Sequence, residues 1–218
     1  MTEQDTQGER LATVDRVWAD PPAVHFSDPV YGLVPPNGVW RTDRGCYEFL
    51  AEHCRPGLRT LETGLGISTA LFTMWGCEHT SVVPWGIEAE RLREYFDRHG
   101  IDDKLLEVHV GYSHEVLPAL PATPLDVVLI DGGHGFPMAA LDWFYAGGRL
   151  VAGGVLVLDD LHLPSVTAGL LDFLTHDPRW TPLAQTRKWA AWRRESSGPL
   201  AEEWTAQPFF SPHTPRKA

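Results

Sequence analysis

The sequence predicts an α/β fold built on a doubly wound sheet, mostly parallel, with an antiparallel hairpin at its C-terminal edge. Three observations carry that prediction. Between residues 58 and 174, five short apolar runs alternate with helix-forming stretches, the order that buries a parallel sheet between two helical layers. The first run leads through Glu62-Thr63-Gly64-Leu65-Gly66 into a helix start, and a strand–glycine turn–helix unit is the ligand-handling corner of such sheets. Two final strand-type runs, Trp180–Thr186 and Lys188–Arg193, meet at a tight turn and pair as a hairpin.

The elements follow in order. Glu9 to Ala19 reads as a weak helix closed by Pro21-Pro22. Residues 23–40 carry Pro29, Gly32, Pro35, Pro36 and Gly38 and form an irregular arm. Thr42 suits the N-cap of a helix from Asp43 to Cys54, which Pro56-Gly57 stops. The first strand covers 58–62. Glycines at 64 and 66 let the chain turn tightly and bring N–H groups close to a ligand, and Ser68 and Thr69 open a helix over Ala70–Trp75. A second strand lies at Thr80–Val83, then a charged amphipathic helix, Glu88–His99, ended by Gly100. Leu106–Val110 is the third strand and His114–Leu120 a short helix stopped by Pro121. Leu125–Ile130 has the near-continuous apolar character of a strand buried on both faces, and it ends at Asp131. Pro137–Tyr145 is helical. Gly147-Gly148 and Gly153-Gly154 bracket a short link before a fifth strand, Val155–Leu158, which runs into Asp159-Asp160. Val166–Leu174 is the last helix. The chain thus divides into a helix and arm over 1–42, fitted to a lid or dimer contact, a central domain over 43–194, and a tail over 195–218 with four prolines.

Composition narrows the function. A length of 218 residues with 43% hydrophobic content supports one globular core. A net charge of −11 argues against nucleic-acid and anionic membrane partners and suits a small-molecule enzyme. Three cysteines without CxxC spacing build no disulfide framework and point to the cytoplasm. Met1 to Arg10 lacks the apolar core of a signal peptide, and no apolar run reaches the roughly 20 residues needed to cross a bilayer. The irregular arm leaves a homo-oligomer open.

Ligands of open α/β sheets bind beyond the carboxyl ends of the strands, and acidic residues gather there: Glu62, Asp131, and Asp159 with Asp160. Carboxylates brought together repel unless a cation or hydrogen-bond donors neutralise them. A hard divalent cation such as Mg²⁺ takes carboxylate oxygens plus water, so Asp131, Asp159 and Asp160 form a candidate metal site. The competing reading makes Asp159 a cap and leaves Asp160 in water. His134, three residues after Asp131, is the candidate general base, since histidine titrates near neutral pH. Glu62 would repel a pyrophosphate but suits a ligand with an amino group. Trp40, Arg41, Tyr47, Trp143 and Tyr145 are candidate substrate contacts whose simpler role is packing.

Three pieces in this order resemble the class I S-adenosylmethionine-dependent methyltransferases: Leu61-Glu62-Thr63-Gly64-Leu65-Gly66-Ile67-Ser68-Thr69, then Leu129-Ile130-Asp131-Gly132-Gly133-His134, then Gly153-Gly154-Val155-Leu156-Val157-Leu158-Asp159-Asp160. The resemblance covers about residues 43–194 and is strongest to the small-molecule O-methyltransferase-like branch with Asp-Gly-x-His and Asp-Asp motifs. It implies the Rossmann-like, seven-stranded methyltransferase fold, with S-adenosyl-L-methionine as cofactor and a hydroxylated small molecule as acceptor. By resemblance, Glu62, Gly64, Gly66, Ser68, Thr69 and Asp131 fall in the cofactor site. Asp131, Asp159 and Asp160 would hold Mg²⁺ or another divalent cation, and His134 with Asp131 would carry the chemistry. The family's acidic residue at the end of strand two is absent from Val82-Val83-Pro84-Trp85, and Gly111-Tyr112-Ser113 replaces its Gly-Asp after strand three. Trp85 or Tyr112 stacking on adenine, Glu88 reaching the ribose, and Ser113 at the third strand end are the substitutes. Two other readings stand beside this one: a non-catalytic ligand-binding protein on the same scaffold, and a nicotinamide-dependent dehydrogenase, weakened by Thr69 where a third glycine belongs.

Overall fold

The computed structural model describes residues 3–25, 36–197, 200, 203 and 205. Seven strands form one sheet: β1 (Arg59–Thr63), β2 (Glu78–Val83), β3 (Leu106–Val110), β4 (Leu125–Ile130), β5 (Leu150–Leu158), β6 (Trp180–Gln185) and β7 (Ala190–Arg194). Their order is β3-β2-β1-β4-β5-β7-β6. The first five run parallel, and β7 lies antiparallel between β5 and β6. The eight α-helices among the described residues are α1 (Glu3–Ala19), α2 (Arg44–His53), α3 (Ile67–Met74), α4 (Gly86–His99), α5 (Ser113–Val116), α6 (Met138–Asp142), α7 (Pro164–Thr167) and α8 (Leu170–His176). The strand order reverses between β1 and β4, and that switch point is where a doubly wound sheet opens a ligand crevice.

Alternation along the strands sorts the core into two layers. Val127 and Leu129 face one side with Val157 and Ala191, against Leu71, Phe72 and Trp75 of the α3 layer. Val128 and Ile130 face the other with Leu61, Leu156, Leu158 and Trp192, against Leu117, Leu174 and Trp180. Burial on both sides explains why β4 and β5 read as unbroken apolar runs. Tryptophans 75, 180, 189 and 192 are core residues, and Trp143 packs its ring against Phe173 and Trp180.

Several boundaries differ from the sequence expectation, each for a local reason. The first helix begins at Glu3. The strand containing Val155–Leu158 starts at Leu150, because Gly153, at φ +86°, and Gly154 form a bulge inside it. Register advances two residues on β4 while it advances five on β5. The helix expected over 166–174 divides into α7 and α8 at Gly169, φ +75°. The stretch after Asp142 winds as a π-helical turn, Trp143–Gly147. Asp43, not Thr42, precedes the second helix, and Thr42 turns its hydroxyl elsewhere. The arm expected over 23–40 is described only at its ends, where the His25 N–H donates to the Gly38 carbonyl (3.0 Å). Residues 26–35 and most of the 195–218 tail lie outside the described residues.

The close seam between β1 and β4 fixes the crevice. Asp131 N–H donates to the Thr63 carbonyl (3.1 Å) and Gly64 N–H to the Val82 carbonyl (2.9 Å). Gly64 sits at φ +111°, and a Cβ there would stand 2.5 Å from the Asp131 carbonyl oxygen. Gly64→Ala therefore meets both a disfavoured backbone region and fixed backbone. It is expected to lose on the order of 1–3 kcal/mol for the dihedral alone, with the clash added, in urea denaturation. A change below a few tenths of a kcal/mol contradicts this geometry.

Candidate active site

Glu62, at the end of β1, is 1% exposed. Its carboxylate accepts from the Ser68 hydroxyl (2.5 Å), the Thr69 hydroxyl and His79 Nε2 (3.0 Å). His79 lies opposite Thr60 in the parallel β1–β2 register, and the Thr60 hydroxyl meets its Nδ1 at 2.7 Å. With Glu62 ionised, Nε2 carries the proton and Nδ1 accepts from Thr60. Thr69 Oγ1 in turn accepts the Gly66 N–H (2.8 Å). The carboxylate expected to face the donor's amino group thus faces inward, where it ties the glycine turn to the first turn of α3. Ser68 and Thr69 serve Glu62 in the same way.

The residues expected at the adenine and ribose follow the carboxyl ends of β2 and β3. Trp85 caps α4, Tyr112 follows β3, and their exposed rings meet edge to face with centroids 6.2 Å apart. Glu88, in the first turn of α4, is nearly buried, and its Oε1 meets His25 Nδ1 at 3.0 Å. Arg91 holds that part of the arm by donating to the carbonyls of Val24 and His25. The other nitrogen of His25 stands 3.6 Å from where a Cβ on Gly66 would lie. An acid on α4 therefore stands near the glycine turn despite Val83 at the end of β2. Ser113 starts α5 beside Asp142, which is fully buried with neither carboxylate oxygen hydrogen-bonded among the described residues. Burial raises the Asp142 pKa, and the nearby Ser113 and Thr63 hydroxyls offset this only in part.

The acidic rim lies over β4 and β5. Asp160 stands in the left-handed region at φ +57°, which aspartate tolerates better than most side chains. His134 Nε2 lies 3.0 Å from Asp160 Oδ2. The Lys188 ammonium bonds Asp160 Oδ1 and reaches Asp159 Oδ2 at 3.3 Å. Thr42 Oγ1 donates to Asp159 Oδ1 (2.5 Å). Asp131 has no hydrogen-bond donor to its carboxylate among the described residues. Burial raises its pKa well above the usual range, with Asp159, Asp160 and Glu62 adding to the rise. Burial also raises Asp159, opposed by the Thr42 bond and Lys188. Burial alone would lower the pKa of Lys188, but the bond to Asp160 and the charge of both aspartates outweigh it and raise it.

One ligand atom each from Asp131, His134 and Asp160 lies within 4.8 Å of the others, so a cation-sized cluster exists; Asp159 is not part of it. Its fit to a divalent ion is poor. Both oxygens of Asp159 and both of Asp160 already have a protein donor, and an ammonium stands between the two side chains. The glycine turn, the aromatic pair and Glu88 follow β1, β2 and β3, at the same carboxyl ends of the sheet as the rim. Of the other candidate contacts, Tyr47 is buried and accepts the Thr42 N–H (3.2 Å), Arg41 lies over the Trp18 ring (4.4 Å), and Trp40 is exposed. A hollow of about 210 Å³ lined by Arg59, Glu107, His109 and Arg149 lies at the opposite, amino-terminal ends of the strands and is not this site.

Sequence reasoning missed His25, His79, Asp142 and Lys188. Only Lys188 left a usable signal. Leu158 pairs with Ala190, so in an antiparallel hairpin the residue two before Ala190 falls beside the residue two after Leu158.

Residues 61–161 match a family described as "Methyltransferase domain". The matched stretch contains the glycine turn and the acids at the ends of β1, β4 and β5. Among solved structures, the domain is similar to cofactor-bound Rv0187 from MTB, at 21% identity and a TM-score of 0.61, over 88% of this chain and 91% of that one. It is also similar to the O-methyltransferase TomG from Streptomyces achromogenes, solved with SAM, at 19% identity and a TM-score of 0.60, over 89% and 92%. Similarity to the O-methyltransferase NovP is 15% identity and a TM-score of 0.54, over 64% and 73%. At these identities the likeness establishes the seven-stranded methyltransferase fold. No curated protein matches the chain.

Asp142 gives the fold a pH signature. Its folded pKa is raised above the ordinary 3.8, so the folded state holds a proton that the unfolded chain releases. Stability from this group is present below about pH 4 and declines as pH rises through the folded pKa. Asp142→Asn should remove that decline: its Tm relative to the parent should climb as pH rises from about 4 toward neutrality. A constant difference across that range contradicts the assignment.

Proposed function

We propose that this chain transfers a methyl group from S-adenosylmethionine to a hydroxyl oxygen of a small molecule. One observation carries the reading: the glycine turn packs on the Asp131 carbonyl, so the donor loop and the His134–Asp160 pair share one rim of the sheet. The backbone of Gly64–Gly66, Glu88, and the Trp85 and Tyr112 rings would hold the cofactor, with Glu62 keeping the turn in shape. When bound, the cofactor supplies an electrophilic methyl carbon on a sulfonium. Displacement at that carbon by an oxygen needs placement and loss of one proton. His134 donates its Nε2 proton to Asp160 Oδ2, which leaves the Nδ1 lone pair to accept the proton of the acceptor hydroxyl. Asp160 orients the ring. A histidine base suits an acceptor hydroxyl that is already weakly acidic, which favours a phenol.

The sequence reading adds assistance by Mg²⁺ on Asp131, Asp159 and Asp160. No step here is assigned to a metal ion, because the aspartate pair already holds an ammonium.

Calorimetry with S-adenosylhomocysteine and with NAD tests the cofactor. The product should bind and raise Tm while NAD does neither; binding of NAD alone makes the domain a dehydrogenase. Glu88→Ala should weaken product binding, and unchanged affinity removes Glu88 from the ribose end. With a labelled methyl donor and a panel of phenols, His134→Ala should keep product binding and lose roughly 10²–10⁴-fold in turnover. Full turnover in that variant removes His134 as the base.

A further inference from the structure

Four carboxylate oxygens at the end of β5 are matched by protein donors. Asp159 Oδ1 accepts from Thr42 (2.5 Å), and Asp159 Oδ2 faces Lys188 Nζ at 3.3 Å. Asp160 Oδ1 takes Lys188, with His162 Nδ1 at 3.6 Å, and Asp160 Oδ2 takes His134 Nε2 at 3.0 Å. The lysine is not a loose surface chain finding a partner. Its side chain is 26% exposed, and those of Asp159 and Asp160 are 2% and 11% exposed. Its backbone is fixed from three directions. The Lys188 carbonyl accepts the Leu161 N–H (2.8 Å), and the Thr186 hydroxyl accepts the N–H groups of Lys188 (3.1 Å) and Trp189 (2.9 Å). Trp189 is buried in the core beside Phe49. The β6–β7 turn therefore delivers a cation to a predetermined spot.

We propose that Lys188 is the resident cation of this rim: its ammonium takes, between Asp159 and Asp160, the place that a divalent metal ion would otherwise hold. Mg²⁺ needs oxygen ligands at about 2.0–2.1 Å in near-octahedral array, and an ammonium on the same oxygens both occupies their lone pairs and repels the incoming charge. Asp131 alone, the one carboxylate of the three without a donor among the described residues, does not build a site. Removing the lysine releases Asp160 Oδ1 within the Asp131–His134–Asp160 cluster, and Asp159 Oδ2 next to it. The lysine suppresses a metal site that the aspartates by themselves would make.

The inference rests on the carboxylate geometry and not on the methyl-transfer reading. Its test is Mn²⁺ binding by the full chain, followed by loss of the free-ion electron paramagnetic resonance signal, with Asp131→Asn as the subtraction for surface acids. The parent should show no Asp131-dependent binding at millimolar Mn²⁺. Lys188→Ala should bind on the order of ten- to a hundred-fold tighter than the parent, and Lys188→Ala with Asp131→Asn should lose that gain. Lys188→Met, which keeps the apolar stem, replaces the alanine variant should the latter not fold. Asp131-dependent Mn²⁺ binding in the parent overturns the proposal. So does a folded Lys188 variant that binds no tighter than the parent. S-adenosylhomocysteine titrated into the same samples reports separately on the donor crevice, so a failure there leaves the lysine result intact.

Discussion

Four carboxylates stand at the carboxyl ends of three neighbouring strands, and the need to neutralise them organises this end of the molecule. Glu62, Asp131, Asp159 and Asp160 act on one another strongly enough that each of the other three raises the pKa of Asp131. Buried acids in such proximity persist only with donors or cations close by. The chain meets the requirement in two different ways. At Glu62 it uses neutral donors, two hydroxyls and an imidazole, all from elements adjoining β1. At Asp159 and Asp160 it uses a hydroxyl, an imidazole and a full positive charge, brought from three separate segments. The first arrangement shapes a rigid turn. The second ties Thr42, His134 and the β6–β7 turn to the end of β5.

That difference separates the two halves of the site. At the glycine turn Glu62 is spent on structure, while the Trp85 and Tyr112 rings stand exposed after β2 and β3. Glu88 is steadied by His25, and Arg91 holds the carbonyls of Val24 and His25, so residues 24–25 are tied to α4. On the acceptor side, Asp160 has two tasks: one oxygen holds the lysine and the other holds His134. A charge-assisted bond at each oxygen helps keep the residue in its left-handed backbone state.

How much of this is legible in the sequence depends on chain distance. β1, β3 and β4 are visible because each is a short apolar run bounded by a glycine, a proline or an acid, and the runs behave as strands under any tertiary arrangement. Gly153-Gly154 misleads because a bulge inside a strand and a break between elements use the same residues. Gly169 is passed over for the converse reason: one glycine in a helical pattern is usually tolerated. The motif residues Glu62, Gly64, Asp131, His134 and Asp160 stand out in the sequence because they follow apolar strand runs. Their partners do not, because Thr42 is 117 residues from Asp159, His25 63 from Glu88 and Lys188 28 from Asp160. No local pattern marks such contacts; only register does. The antiparallel placement of β7 against β5 is the one piece of topology that converts a turn lysine into a rim residue.

An ammonium in place of a divalent ion changes what the rim can do. A doubly charged ion can bind an acceptor oxygen and lower its pKa by direct coordination, whereas Lys188 keeps its proton, with its pKa raised, and only donates hydrogen bonds. Deprotonation then falls to an imidazole. In the proposed reading that imidazole is His134, which Asp160 engages through Nε2. Such an arrangement suits acceptors that are already weakly acidic. A phenol, near pKa 10, lies within reach of a histidine base, while an aliphatic alcohol lies several pKa units farther away. On the proposed methyl-transfer reading, the same lysine that holds Asp159 and Asp160 together without a metal ion would also favour aromatic hydroxyls as acceptors.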